Sequence, residues 1–482
     1  MRPSWSVFCI VLIAVSLTLV QPIPASNDVG QIDSVSSPNR RKPPTPAQEI
    51  GEFRSFWAVD YDQDVWYLLE AYLLAIGNYC YIYIDDLVID IIGEEEATNR
   101  AELYRDEFDT TIYPRVTDIA GDPDGTLGDI DGDPRIYILI MENRWDCYLQ
   151  SNEIEGPHSN MCEMVYICYR ASDVVSTIAH EFHHLIWFNY EFDEVHFILE
   201  GLAEYAMYYA GCLPDDNLTN RVSPFLEDPD DSFIYFEIEA QDYGACYLFA
   251  FYLAEQYGLQ LLQDLVQHEE DGALGLETAL EEAGYNISFN DLYMDWMTAL
   301  TIDVQGFAND RYCLRNIDAT IQGNTAINSL PYQDDDVPLY CYGSKIYHIT
   351  APPESFCVEM SQPKDGVAGL SVAYKDDNGW HVQQVLQQGA AIINISGDSI
   401  IEAHVVVSYL LADTPAGGID FGSGFRETVQ LLIQESNEKG APSIPCPPNS
   451  DQALIIIAAA MPLTATVIVA LLILRGKEKP GL

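Results

Sequence analysis

The stretch from His180 to Glu204 constrains this 482-residue chain more than any other. It begins with a His-Glu-Phe-His-His sequence at 180–184 inside a mainly apolar segment, which predicts a buried helix. Residues four apart share a helix face, so His180 and His184 can direct two imidazole nitrogens at one ion. Glu181 lies about 100° around the same helix, close enough to reach a water beside that ion without being a ligand. This pattern predicts the centre of a metal-dependent hydrolase.

A tetrahedral zinc site that keeps one position open needs a third protein ligand. Glu200 is the candidate, because the chain after His184 is long enough to turn back. Glu204 follows one helical turn later, where its carboxylate can accept a hydrogen bond from a ligand imidazole. Glu204 and Glu191 are the alternatives if Glu200 is not the third ligand.

Together with Glu-Gly-Leu-Ala-Glu-Tyr at 200–205, the helix motif resembles the gluzincin metallopeptidases of the peptidase MA group, most closely the secreted hyicolysin-like (M30-like) neutral peptidases. The resemblance implies an α+β zincin-like catalytic domain, a mixed sheet plus helices, that cleaves peptide or protein substrates. It implies that His180, His184 and Glu200 bind zinc and that Glu181 polarises the water. The family usually has Asn before the third ligand, where this chain has Leu199.

Tyr243 begins an apolar helical segment that resembles the helix after the third ligand in those peptidases. The resemblance implies that this tyrosine faces the scissile carbonyl and acts as an oxyanion donor. A buried or rim tyrosine without a catalytic role is the alternative.

An acidic loop precedes the strand predicted at 135–140. Asp129, Asp131 and Asp133 alternate along it, and their hard oxygens suit Ca²⁺, although the spacing lacks the terminal Glu of an EF-hand. A turn with solvated aspartates is the alternative. Similar Asp-Gly-rich loops occur in the hyicolysin-like group.

The remaining pattern predicts a helix at 65–74, strands at 79–84 and 164–169, and further helices up to about residue 320. The strand at 164–169 is expected at the sheet edge beside the His180 helix, where zincins bind substrate by strand addition. From residue 326, short runs of period two predict a β-sandwich accessory domain.

Composition and hydropathy predict a single-pass cell-membrane protein with its catalytic domain outside and an apolar C-terminal helix in the membrane. In an oxidising compartment we expect the disulfides Cys147–Cys162 and Cys341–Cys357. The predicted segments are a signal peptide (1–26), a disordered linker (27–50), the zinc metallopeptidase domain (51–322), a β-rich accessory domain (323–437), a Pro-rich stalk (438–452), a transmembrane helix (453–474) and a cytoplasmic tail (475–482).

The charge balance is strongly acidic, with 75 Asp and Glu against 22 Lys and Arg. A net charge of −53 argues against nucleic-acid binding, which needs cations to neutralise phosphate. The sequence as a whole predicts a membrane-anchored extracellular zinc peptidase, with an endopeptidase favoured over an aminopeptidase. A catalytically inactive surface adhesion or binding protein on a peptidase scaffold is the alternative, although the intact Glu181 argues against it.

Overall fold

The computed structural model describes residues 48–60, 65–125, 129–142, 157–191, 193–213, 215–415 and 425–436. These residues form an α/β fold with three sheets. The chain divides into two compact units, the first made of residues up to 190 with 206–213 and 237–239, and the second made of the remainder.

The first unit contains a five-stranded sheet in the order β1-β2-β3-β4-β5. The first three strands pair antiparallel, and β3, β4 and β5 pair parallel. Its elements are β1 (Phe53–Asp60), β2 (Val65–Ile76), β3 (Cys80–Asp85), α1 (Asp86–Ile92), α2 (Glu94–Glu107), a π-helical turn (Phe108–Ile112), α3 (Tyr113–Ala120), β4 (Ile136–Met141), β5 (Met164–Cys168) and α4 (Val174–Tyr190).

The three parallel strands are continuous apolar runs, and every residue in β3, β4 and β5 is buried. Such runs are typical of parallel strands covered on both faces, which explains why the strands predicted at 79–84, 135–140 and 164–169 are all present. In the described residues β5 lies at the edge of the sheet, as predicted. The next helix along the chain is α4.

The helix predicted at 65–74 is wrong, since this segment is the long strand β2. Its leucines, alanine and glutamate favour helix by propensity. However, burial alternates along the second half of the segment, and both edges pair with neighbouring strands, so tertiary pairing decides the conformation.

The second unit contains the remaining helices and two further sheets, ordered β11-β10-β13-β8-β6 and β12-β9-β14-β7. Helix α5 contributes its last five residues to the first unit. The elements are α5 (His196–Ala210), α6 (Asp215–Glu227), α7 (Ala240–Tyr257), α8 (Leu259–Val266), α9 (Gly272–Glu282), α10 (Phe289–Ile302), a 3-10 turn (Ala308–Asp310), β6 (Asn324–Ile327), β7 (Tyr332–Tyr340), β8 (Ser344–Ile349), β9 (Ser355–Met360), β10 (Val367–Asp376), β11 (Gly379–Gln387), β12 (Ala391–Ser396), β13 (Glu402–Leu410) and β14 (Arg426–Glu435).

Helix α10 packs on the sheet that contains β10 and β13. Hydroxyl groups hydrogen-bond the helix to the strands: the Thr298 and Ser371 hydroxyl oxygens are 2.9 Å apart, and those of Tyr293 and Ser344 are 3.0 Å apart. These residues are fully or almost fully buried, so their hydrogen bonds satisfy polar groups that water does not reach.

Two buried carboxylates of the second unit are paired with cations. Asp295 on α10 accepts from Arg311 at 2.6 Å, and Asp230 lies 3.4 Å from Lys345 and 3.5 Å from Arg426. Burial raises the pKa of each carboxyl to about 6 even though the cations oppose that shift. The few cations of this acidic chain therefore include several that hold interior carboxylates.

The C-terminal transmembrane helix is the part of the predicted fold class that must be corrected. None of the helices in the described residues is long and apolar enough to span a bilayer. The predicted signal peptide, most of the linker, the transmembrane helix and the tail lie outside the described residues, as do all stalk residues.

The predicted Cys341–Cys357 disulfide is wrong, because both residues are thiols. The backbone of Cys341 pairs with that of Tyr409 on β13 in an isolated β-bridge. Cys357 instead lies on β9, between β12 and β14 of the other sheet. Short sequence separation therefore did not place them together. Cys147 of the other predicted pair lies outside the described residues.

Candidate metal centre

Helix α4 is fixed at both ends. Asp173 precedes it, and its carboxylate accepts from the backbone N–H groups of Val175 and Ser176 at 3.1 and 3.3 Å, which satisfies donors left over at the helix start. Near its other end, the Asn189 amide donates to the Pro123 carbonyl at 2.6 Å. Most of the helix between these points is buried, so its polar side chains lie in a protected environment.

His180 and His184 converge on α4, as their spacing predicts. Their Nε2 atoms are 3.0 Å apart, and the rings are nearly perpendicular at 84°. A tetrahedral zinc with Zn–N bonds of about 2.0–2.1 Å separates two ligand nitrogens by about 3.3 Å. The two imidazoles therefore fit a zinc ion after a shift of only a few tenths of an ångström.

Two further polar residues of the motif are buried. Glu181, which follows His180 in the sequence, is 6% exposed. His183 is fully buried on another side of α4, with its ring centroid 5.8 Å from that of Trp187. The role of Glu181 as the base stays a prediction.

Glu200, the predicted third ligand, lies on α5 in a stretch that belongs to the second compact unit, whereas His180 and His184 belong to the first. Its role as the third ligand stays a prediction. Two imidazoles and one carboxylate are a common donor set of catalytic zinc sites. These residue types therefore fit the metal that the sequence predicts.

Helix α5, which carries Glu200, packs closely against α7, and α7 packs closely against α6. A Cβ at Gly201 would lie 2.7 Å from the carbonyl oxygen of Cys246 on α7, and one at Gly244 would lie 2.5 Å from the carbonyl oxygen of Arg221 on α6. Only glycine permits these approaches without displacement of backbone. The glycine after Glu200 is thus explained by the seating of α5 against α7.

Glu204 is 2% exposed, and both its carboxylate oxygens accept from the Arg221 guanidinium, at 2.6 and 2.5 Å. The arginine side chain is the partner that sequence reasoning missed. A carboxylate paired through both oxygens is less suited to be the third metal ligand than Glu200.

Tyr243 lies near the start of α7 and is partly exposed. Its ring meets Phe236 edge-on at 4.9 Å, and Phe236 also stacks with His196 at 5.6 Å. The oxyanion role of Tyr243 stays a prediction.

The acidic loop is organised around a residue that sequence reasoning missed. Asp129 and Asp131 group with Glu163, not with Asp133, and one oxygen from each lies within 4.8 Å of the others. Asp133 instead accepts from the Tyr81 hydroxyl at 2.6 Å and pairs with Arg135 at 2.9 Å. The available signal was the position of Glu163 immediately before a buried strand.

Glu163 is 2% exposed. Its Oε1 accepts from the backbone N–H of Ile130 at 2.5 Å, and its Oε2 has no hydrogen-bond partner in the described part of the chain. Burial raises the pKa of this carboxyl to about 7, and the nearby aspartates add to the shift. A divalent cation would balance the three carboxylates.

Glu191 belongs to a different acidic group, with Asp193 and Asp271. Burial raises the pKa of Glu191 to about 7. Its place in this group makes it a weaker alternative to Glu200 than the sequence alone indicates.

No family model matches this sequence. No curated protein matches it either. A solved structure with some similarity is the capsular polysaccharide assembling protein CapF from Staphylococcus aureus, at 9% identity, over 64% of this chain and 76% of that chain. Its TM-score of 0.14 is too low to support an argument about fold or function.

Proposed function

We propose that this protein is a zinc-dependent peptidase. The observation that carries the proposal is the pair of Nε2 atoms 3.0 Å apart on a buried helix, with the carboxylate of Glu181 between them in sequence. Two histidines at this spacing are useful for binding an ion, and a buried acid beside them is useful for moving a proton.

In this proposal His180, His184 and Glu200 hold the metal. Zinc, when bound, polarises a carbonyl and lowers the pKa of water. Glu181 accepts the proton of the attacking water and later returns it to the nitrogen of the leaving amine. Tyr243 donates a hydrogen bond to the carbonyl oxygen as negative charge develops there.

The proposed substrate is an extended peptide. Five residues separate the end of β5 from the start of α4, and β5 has a free edge within the described sheet. An extended chain can add to such an edge through backbone hydrogen bonds, which recognise peptide without requiring one sequence. This supports a peptide substrate and an endopeptidase in preference to an enzyme that holds a free terminus.

The test is cleavage of a peptide library blocked at both termini, with and without a chelator. Chelation should abolish cleavage, and added zinc should restore it. Cleavage that persists in chelator would overturn the metal mechanism. Peptide binding without cleavage by the zinc-loaded protein would favour the inactive adhesion or binding protein instead.

We also propose that Asp129, Asp131 and Glu163 bind Ca²⁺. All three ligands are carboxylates, which suits a hard cation, and oxygens separated by up to 4.8 Å fit Ca–O bonds of about 2.3–2.6 Å. Ca²⁺ should raise the melting temperature of the wild type more than Mg²⁺ does. In the variant Glu163→Gln this difference should disappear, and if it stays the aspartates are an ordinary solvated turn.

A further inference from the structure

A second pair of histidines lies on the sheet formed by β6, β8, β10, β11 and β13. His348 on β8 is directly opposite His404 on β13 in the antiparallel ladder. Glu402 precedes His404 by two residues, so both project from the same face of the strand. The backbone register therefore brings two imidazoles and one carboxylate together from residues far apart in sequence.

The side chains are in contact. The His348 and His404 rings stack with centroids 4.7 Å apart and planes within 9°. His404 Nε2 lies 3.0 Å from Glu402 Oε1. One potential ligand atom from each of the three residues lies within 4.8 Å of the others.

The cluster is neither deeply enclosed nor freely solvated. The His404 side chain is 13% exposed and that of Glu402 is 37% exposed. An ion can reach the cluster from solvent through the Glu402 side. The ring centroid of Trp380 lies 6.1 Å from that of His404, and Trp380 also packs against the buried group of Tyr312, Ala373 and Val382.

A simple ion pair between histidine and carboxylate is the competing explanation. The same sheet provides one for comparison, because His381 Nε2 lies 3.0 Å from Asp376 Oδ1. The His381 ring stacks on Tyr374 at 4.9 Å, where it meets a phenol and not a second imidazole. An ion pair explains Glu402 with His404, and the stacked His348 adds a second nitrogen donor that the His381 pair lacks.

We propose that His348, Glu402 and His404 form a second metal site, which binds Zn²⁺ and links β8 to β13. Two imidazole nitrogens and one carboxylate oxygen suit zinc, whereas Ca²⁺ and Mg²⁺ prefer oxygen alone. The hydrogen-bonded ladder holds the ligand backbones in register before the ion arrives. The site is independent of the proposed peptidase activity and supplies rigidity to the sheet.

The test uses the full chain with His180→Ala and His184→Ala, so that the zinc bound reports on the sheet. Competition with a chromophoric chelator should reveal one zinc per chain in this background. His404→Ala should weaken that binding by more than about 100-fold, because removal of a residue that only hydrogen-bonds to a metal ligand already lowers metal affinity by about 10–100-fold. Co²⁺ in place of zinc should show the visible absorption of a four-coordinate site, and His404→Ala should remove it.

His381→Ala is the matched control, because it removes a histidine–carboxylate pair of the same length on the same sheet and should leave zinc affinity unchanged. Glu402→Gln keeps the size of a partly exposed side chain, so it tests the site even if His404→Ala does not fold. A drop in zinc affinity of about 10-fold or more in Glu402→Gln supports the site. Zinc affinity equal to that of the background in Glu402→Gln, or an effect of the same size in His381→Ala, overturns it.

Discussion

Helix α4 and the β8–β13 ladder each bring two imidazoles towards a carboxylate, but they do so in different ways. On α4 the histidines are four residues apart on one helix, and their Nε2 atoms are 3.0 Å apart. On the sheet the histidines lie opposite each other on neighbouring strands. The helix also provides Glu181 beside its proposed ligands, whereas on the sheet Glu402 is itself a proposed ligand. If both proposals hold, this difference suits the helix site to proton transfer and the sheet site to holding an ion.

The two sites also depend on different interactions. The sheet ligands are set by backbone hydrogen bonds between β8 and β13, which do not depend on the identity of neighbouring side chains. Glu200, in contrast, lies on a helix whose seating depends on the contact between Gly201 and Cys246. A change in the packing of α5 against α7 should therefore affect the proposed helix site and leave the proposed sheet site unchanged.

The largest expected effect comes from Glu181→Gln. The amide cannot accept a proton, so peptide cleavage should fall by about 10²–10⁴-fold while both zinc ions stay bound. Turnover of a fluorogenic peptide and elemental analysis measure the two outcomes. Glu282→Gln, on the exposed surface of α9, is the matched control and should have wild-type activity. Loss of zinc together with activity would show that Glu181 is a ligand and not a base.

Glu200→Gln should reduce the zinc affinity of the helix site by about 10–100-fold or more, because a charged ligand becomes neutral. The sheet site should keep its zinc, so the bound metal should fall from two ions to one per chain. Chelator competition measures both affinities. If Glu200→Gln keeps both ions and full activity, the third ligand is another carboxylate, and Glu204→Gln is the next variant to measure.

Gly201→Ala should destabilise the fold by about 1–3 kcal/mol, because the added methyl group meets the Cys246 carbonyl oxygen at 2.7 Å. It should also weaken zinc binding at the helix site and leave binding at the sheet site unchanged. Urea unfolding and chelator competition check these effects. Gly211→Ala is a useful contrast, since its Cβ would meet no atom within 4 Å and its cost would come from a positive φ of 76°. Equal zinc loss in both variants would remove the proposed role of the Gly201 contact.

The smallest effect concerns pH and the segment that leads into α5. Glu194 accepts from the backbone N–H groups of Val195 and Gly272 at 2.6 and 2.8 Å, and burial raises its pKa to about 8. The folded state therefore holds this proton more tightly than the unfolded state. Stability from this group is present below about pH 4.5 and is lost as pH rises towards 8.

Glu194→Gln keeps a neutral side chain at every pH. Between pH 5.5 and 8, the unfolding free energy of the variant should fall by on the order of 1 kcal/mol less than that of the wild type, after allowance for partial exposure of Glu194. Urea unfolding at the two pH values measures the change, with zinc absent to isolate the protein contribution. An unchanged slope would mean that Glu194 does not titrate in this range.

Helix periodicity made the convergence of His180 and His184 predictable from sequence. His180 and His184 need only one helix to meet, and the single local rule of four residues per face is sufficient. The sheet site could not be predicted in the same way, because it depends on the register between β8 and β13. The one local signal was the alternation of Glu402 and His404, which places both on one strand face.

Elsewhere the limits of sequence reasoning also lie in tertiary contacts. β2 has helix-favouring residues but is held as a strand by its two neighbours. β7 contains Asp334, Asp335 and Asp336 with a later Pro338, a composition that local propensity does not assign to a strand. Glu163 is far from the acidic loop in sequence and joins it only through the fold. Continuous apolar strands such as β4 were predictable because burial on both faces leaves a strong local pattern.

The pairing of interior carboxylates with cations has a consequence for how this chain tolerates mutation. Acidic residues outnumber basic ones by 75 to 22, yet Arg311, Lys345 and Arg426 are held beside Asp295 and Asp230. Neutralising one of the many surface acids relieves repulsion and should be harmless. Replacing Arg311 leaves a buried carboxylate without its counter-charge, at a cost of about 3 kcal/mol. The loss of one of the few basic residues should therefore cost more stability than the loss of one of the many acidic residues.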